Sequence, residues 1–149
     1  MSEVWFYHVL RGGVDKVVPV LLEKSLEKGW SAIVEGPDTE HLDQLDATLW
    51  TYRQEGFLPH ARAGGPRDAR QPVILTEEKH NPNDAQLRVL IDGAEVDDAT
   101  RYERVIYVFD GRNDAAVETA RDYWKRLKAS DADVAYWQQN DRGGWEKKA

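Results

Sequence analysis

The sequence predicts an α/β fold: a single open sheet, mostly parallel or mixed, with helices packed on its faces. Three observations predict it. Strand-like and helix-like segments alternate from the N-terminus in the order βαβα, followed by several strands and a closing αβ pair. The apolar positions change spacing between segments, from continuous runs to repeats of three and four. The chain has 149 residues, near the commonest length for one core, and a domain of that size buries roughly 68–70% of its unfolded surface. Residues 1–149 are therefore expected to form one domain.

Each element has its own signal. Val4 to Leu10 is an apolar, aromatic run typical of a buried strand, broken by Arg11, Gly12 and Gly13. Val14, Val17, Val18, Leu21, Leu22 and Leu26 repeat at helical spacing, with Gly29 as the C-terminal stop. Trp30 to Val34 is a second short strand. After the turn Glu35-Gly36-Pro37, Asp38 or Thr39 caps a second helix whose core face is Leu42, Leu45 and Leu49. Arg53 to Gly56 is polar. Phe57-Leu58-Pro59-His60 contains a proline and reads as an edge strand or extended loop. Ala61 to Gln71 is a surface loop, Pro72 to Thr76 a strand, and Asn81-Pro82-Asn83-Asp84 a turn. Gln86 to Ile91 and Arg104 to Phe109 are further strands. Asn113 to Lys128 has the strongest helical pattern. Val134 to Gln138 is the last expected strand, with a polar tail behind it.

Composition narrows the function. There are 27 acids against 20 bases, for a formal charge of −7. A duplex-binding domain usually carries a basic stripe and a high isoelectric point, so direct DNA contact would need a local basic patch. Cysteine is absent, which removes disulfides, thiolate metal sites and thiol nucleophiles and fits a reducing compartment. No apolar run approaches the roughly 18 residues of a membrane span, and the N-terminus has no signal-peptide pattern. A cytoplasmic protein with no membrane contact is expected.

Catalytic patterns are missing. Arg11-Gly12-Gly13 follows strand one, where mononucleotide-binding folds hold phosphate, but neither G-x-G-x-x-G nor G-x-x-x-x-G-K-[ST] is present. A tight turn is the expectation there: the fold would resemble a mononucleotide-binding one without its phosphate loop. His8, His41, His60 and His80 are scattered, with no ligand-like spacing to a carboxylate. No serine sits in a G-x-S-x-G elbow, and Asp97-Asp98 falls in a polar loop. No catalytic residue, metal or cofactor is assigned. A binding role is favoured over an enzyme.

One constellation has a mechanism. On a wheel of the final helix, Ala116, Ala120, Tyr123 and Leu127 form the core side. Arg121, Lys125 and Lys128, at i, i+4 and i+7, gather on an exposed stripe bordered by Val117 and Trp124. That arrangement suits an acidic peptide ending in a hydrophobic residue: arginine forks a carboxylate, lysines supply charge, and the border groups pack the apolar end. A solvated face, with Asp122 and Arg126 as an ordinary i,i+4 pair, is the competing reading. A second patch is Trp50 with Phe57, Pro59 and His60. Trp50 follows the core residue Leu49 and must point elsewhere, which makes it either a partner anchor or part of a small satellite core.

Across nearly its whole length, the chain resembles the chi subunit family of bacterial DNA polymerase III. The matching text is Phe6-Tyr7, Asp46-Ala47-Thr48-Leu49-Trp50, Phe57-Leu58-Pro59-His60, Pro72-Val73-Ile74-Leu75 and Tyr102-Glu103-Arg104-Val105-Ile106, leading into the basic helix. The resemblance implies a non-catalytic adaptor of the clamp-loader assembly. Such proteins bind the acidic, phenylalanine-terminated tail of single-stranded DNA-binding protein and the psi subunit, and meet nucleic acid indirectly. It also implies a tail site at Arg121 and Lys125, with Trp124 at an aromatic position, and a surface for psi or another partner at Trp50 and Phe57. Where a further basic residue is expected, one turn before Arg121, the chain has Val117; Lys128 is positioned to compensate. Two other classes stay open: a direct single-strand DNA binder stacking bases on Trp50, Trp124 and Trp137, and an enzyme with a degenerate nucleotide site near Gly12 and Gly13.

Overall fold

A computed structural model of the chain describes residues 3–51, 60–65, 67–130 and 132–149. Its elements run β1 (Glu3–Val9), α1 (Val14–Glu27), β2 (Ala32–Glu35), α2 (Thr39–Thr51), β3 (Ala61–Arg62), β4 (Val73–Thr76), β5 (Leu87–Leu90), β6 (Arg104–Asp110), α3 (Asp114–Ala129), β7 (Val134–Gln139) and β8 (Trp145–Lys147). The strands form one open sheet in the order β3-β4-β2-β5-β6-β1-β7-β8. Every neighbouring pair is parallel except β7 with β8. The α/β class and the open, mixed sheet are as the sequence predicts.

The helix ends follow from local chemistry. Gly29 at φ +81° ends α1. Its N–H reaches Leu26 O at 3.0 Å while Trp30 N–H reaches Ser25 O at 3.1 Å, the paired bonds of a left-handed C-terminal cap. Asp38, not Thr39, caps α2, its carboxylate accepting from Glu40 N–H at 3.0 Å. Asn113 Oδ1 accepts from Ala116 N–H at 3.2 Å at the start of α3.

Helices α1 and α2 share one core with one side of the sheet, through Val18, Leu22, Leu42, Leu45 and Leu49. Helix α3 covers part of the opposite side, packing Ala120 and Tyr123 against Val4, Phe6, Val105 and Tyr107. On that side, the β4–β5 connection closes over β2 and β4, burying Ile33, Ile74 and Ala85. The connection is pinned by Arg88, which is 1% exposed. Its guanidinium donates to Glu35 Oε1 at 2.9 Å, Tyr102 Oη at 3.0 Å, His80 O at 2.7 Å and Glu78 O at 2.6 Å.

Three expectations need correction. The stretch behind β7 is not a plain polar tail. Asn140 to Gly144 forms a turn closed by Asn140 N–H to Gly144 O at 2.8 Å, and Trp145–Lys147 returns as β8. Trp145 packs its ring at a tilt against Tyr7, 4.5 Å between centres, which gives that strand an apolar reason to pair. The 61–71 loop contains the two-residue edge strand β3 and a 3-10 turn at Asp68–Arg70. Finally, Arg126 does not rely on Asp122: its guanidinium forks both carboxylate oxygens of Glu95, on the loop after β5.

Candidate functional site

Helix α3 presents Arg121, Lys125 and Lys128 to solvent, with Val117 and Trp124 half-buried beside them. Trp124 is held from two sides. It meets Phe6 edge-on at 5.3 Å and Tyr136 edge-on at 5.6 Å, with interplanar angles of 85° and 88°. Lys128 Nζ lies 5.5 Å from the Trp124 ring centre, within cation–π range.

The charge of this row is available. Arg88, Arg126, Arg112 and Arg62 are each committed to a carboxylate. Among the described residues, Arg121, Lys125 and Lys128 have no ion-pair partner. Three uncommitted bases thus stand around a fixed aromatic ring, setting positive charge beside apolar surface.

Strand alternation brings two further groups to this face. Phe6 pairs with Tyr136, and His8 with Gln138, across β1 and β7, so Phe6, His8 and Tyr136 all look toward α3. His8 Nδ1 and Tyr136 Oη are 2.6 Å apart. Burial, and then the Arg121 cation, hold the His8 ring below the usual histidine range; burial also pushes the Tyr136 phenol up. Sequence reading did not single out either residue. The period-two pattern places each on its strand face, but their partnership spans 128 positions and becomes visible only when β7 is laid beside β1.

At the second patch, Trp50 is 54% exposed while Leu49 is buried. Its ring meets His60 at 5.0 Å. His60 is not at the surface: its side chain is closed off from solvent and its Nε2 lies 2.9 Å from Asp46 Oδ1. It props Trp50 outward from below. Phe57 and Pro59 lie outside the described residues.

A cavity of about 580 Å³ opens at the carboxyl ends of β1, β5 and β6, lined by Gly12, Gly13, Asp15, His41, Asp92 and Asp110, among others. The two glycines sit at φ +78° and +77°, the turn expected there. His41 corrects the view of isolated histidines. Its Nε2 is 2.6 Å from Asp15 and its Nδ1 is 2.5 Å from Asp92, joining α1, α2 and the loop after β5. Hydrogen bonds to Asp15 and Asp92 push its pKa up to about 10. With three carboxylates on its walls, the cavity is poorly suited to phosphate. Among the described residues, no group of three His, Cys, Asp or Glu side chains is placed to hold a metal ion. Trp124 and Trp137 pack in cores on opposite sides of the sheet, so one DNA strand cannot stack on both.

The family described as DNA polymerase III chi subunit, HolC, matches residues 1–135. The chain is also 28% identical over 109 residues to a probable DNA polymerase III subunit chi from Rickettsia prowazekii, covering 73% of this chain and 66% of that protein. It is 36% identical over 55 residues to the DNA polymerase III subunit chi of Pseudomonas aeruginosa, covering 37% of each. Neither alignment reaches two thirds of the relative's own length.

Proposed function

The chain belongs to the DNA polymerase III chi subunit family, and on that premise we propose that this replication accessory protein is a non-catalytic, single-domain adaptor whose helix α3 captures the acidic, phenylalanine-ended tail of single-stranded DNA-binding protein. The observation that carries the proposal is the uncommitted row Arg121, Lys125 and Lys128 beside the fixed Trp124 ring. Arg121 takes a carboxylate, the lysines take the acidic residues before it, and Val117 with Trp124 receives the phenyl ring. Val117 stands where a further base is expected; it widens the apolar end, and Lys128 supplies the missing charge. The net charge of −7 discourages the chain from competing for the coated strand itself.

The link to the clamp loader, through a psi subunit or an equivalent component, falls to the exposed Trp50 surface, with Phe57 and Pro59 beside it in sequence. A large exposed aromatic held from beneath by a buried histidine is a suitable anchor. Affinity for one tail should be about micromolar, near −8 kcal/mol, and several tails on one coating protein would raise it by avidity.

Mapping amide shifts of the labelled chain during titration with a tail peptide tests the placement. Shifts concentrated at Val117, Arg121, Trp124, Lys125 and Lys128, with the Trp50 indole unmoved, are expected. Shifts centred on Trp50 would place the tail on the other surface.

A further inference from the structure

Within electrostatic reach of Arg121 lies a hydrogen-bonded pair that this reading of α3 leaves unused. His8 and Tyr136 come from adjacent parallel strands, meet through Nδ1 and Oη at 2.6 Å, and lie on the side of the sheet that carries α3. The His8 ring is set against Phe109 at 4.9 Å and crossed by Tyr136 at 5.9 Å. Gly111 makes room for it: a Cβ there would stand 2.0 Å from His8 Nε2. The backbone of Gly111 hydrogen-bonds the ring in the sense that favours the charged form. One ring nitrogen thus serves Gly111 and the other Tyr136. The charges facing His8 are Arg121 from α3, which opposes a positive ring, and Asp110 from the end of β6, which favours one.

We propose that the Tyr136 hydroxyl, oriented by His8, is a second anchor for the peptide carboxylate, and that His8 takes up a proton as the anion docks. In the free protein the neutral ring accepts the Tyr136 proton at Nδ1. Burial is the larger cause of the neutral ring and Arg121 the second; a carboxylate that settles on Arg121 cancels that second part. A proton from solvent then binds Nδ1, the new N–H donates to Tyr136 Oη, and the hydroxyl turns to donate to the carboxylate. Recognition becomes a fork from Arg121 plus an O–H from Tyr136, three donors on one anion. This inference rests on the reading of α3 as the peptide site.

The linkage has a definite sign. Docking favours the protonated ring, so protons are taken up, and affinity rises as pH falls toward the free-state titration of His8, which lies below the usual histidine value. A shift of one pH unit on docking corresponds to at most about tenfold in affinity. The peptide's own carboxylates stay ionised above about pH 5.

The test is calorimetric titration of the intact chain with an acidic, phenylalanine-ended peptide from about pH 5.5 to pH 8, in buffers of different ionisation heat. Wild type should bind several-fold more tightly at the acidic end, with net proton uptake. His8→Asn should still bind through Arg121 but lose both the uptake and the pH dependence. Tyr136→Phe keeps its ring against Trp124 and should bind more weakly through the lost hydroxyl donor while keeping the uptake, because Arg121 acts on His8 directly. Wild-type binding that is independent of pH, with no uptake, overturns the inference and leaves the α3 site standing. No binding at any pH overturns the α3 site, and the inference falls with it.

Discussion

Replacing Arg121 by alanine separates binding from folding more sharply than any other change on α3. The side chain is exposed, and in the free protein its guanidinium has no carboxylate partner among the described residues. Removing it should therefore alter stability by no more than about 0.5 kcal/mol. In the proposed complex it is to supply charge-assisted hydrogen bonds to a carboxylate, and their loss should then cost about 1–3 kcal/mol, which is roughly 5- to 150-fold in Kd. A Kd near micromolar should move to between about 5 and about 150 micromolar. The assay is calorimetric titration with the tail peptide beside a thermal melt of the same variant. Arg121→Lys should recover part of the loss, since it restores charge without the fork. A third readout comes from the sheet: burial and, second to it, Arg121 hold His8 down, so the His8 titration followed by NMR should move part of the way up in Arg121→Ala. Unchanged peptide affinity with an intact fold would remove Arg121 from the site.

Three further outcomes follow from the same geometry. Arg88→Ala leaves Glu35 buried with only Lys79 beside it; a loss of about 3–5 kcal/mol is expected, read as a lower urea midpoint, and a change under about 1 kcal/mol would contradict the pinning role of Arg88. For His41, the folded pKa of about 10 lies above the unfolded value near 6.5, so its ion pairs stabilise fully below pH 6.5 and lose their effect as pH rises through about 10. The stability gap between wild type and His41→Asn should narrow over that window, and a constant gap would count against the charged pair. Raising salt from about 0.05 to 0.5 M should weaken tail binding through Arg121, Lys125 and Lys128; an affinity indifferent to salt would show that these charges do not face the peptide.

The fold was legible where local and long-range signals agree. Leu42, Leu45 and Leu49 mark α2, and all three are fully buried. Gly29 marks the end of α1, and it carries the left-handed cap. The wheel of α3 separates buried Ala120 and Tyr123 from exposed Arg121 and Lys125. Strand β8 is not legible in the sequence because Asn140-Asp141-Arg142-Gly143-Gly144 has the composition of a polar tail as much as of the hairpin turn it forms. Groups meeting across the sheet were hidden for a different reason. His8 with Tyr136, Arg88 with Glu35, and His41 with Asp15 and Asp92 are joined by topology, and no spacing along the chain encodes them. His60 illustrates the limit of motif reading: it sits in the text beside Phe57 and Pro59, yet its side chain is buried on Asp46.

The most direct test of the central claim is a calorimetric titration of the wild-type chain with two peptides. One copies the acidic tail of single-stranded DNA-binding protein; the other lacks only the final phenylalanine. If α3 captures that tail, the first peptide binds with a Kd of about micromolar and the second does not measurably bind, because Val117 and Trp124 have lost their apolar guest. Equal binding of both peptides, or binding of neither, would contradict the account.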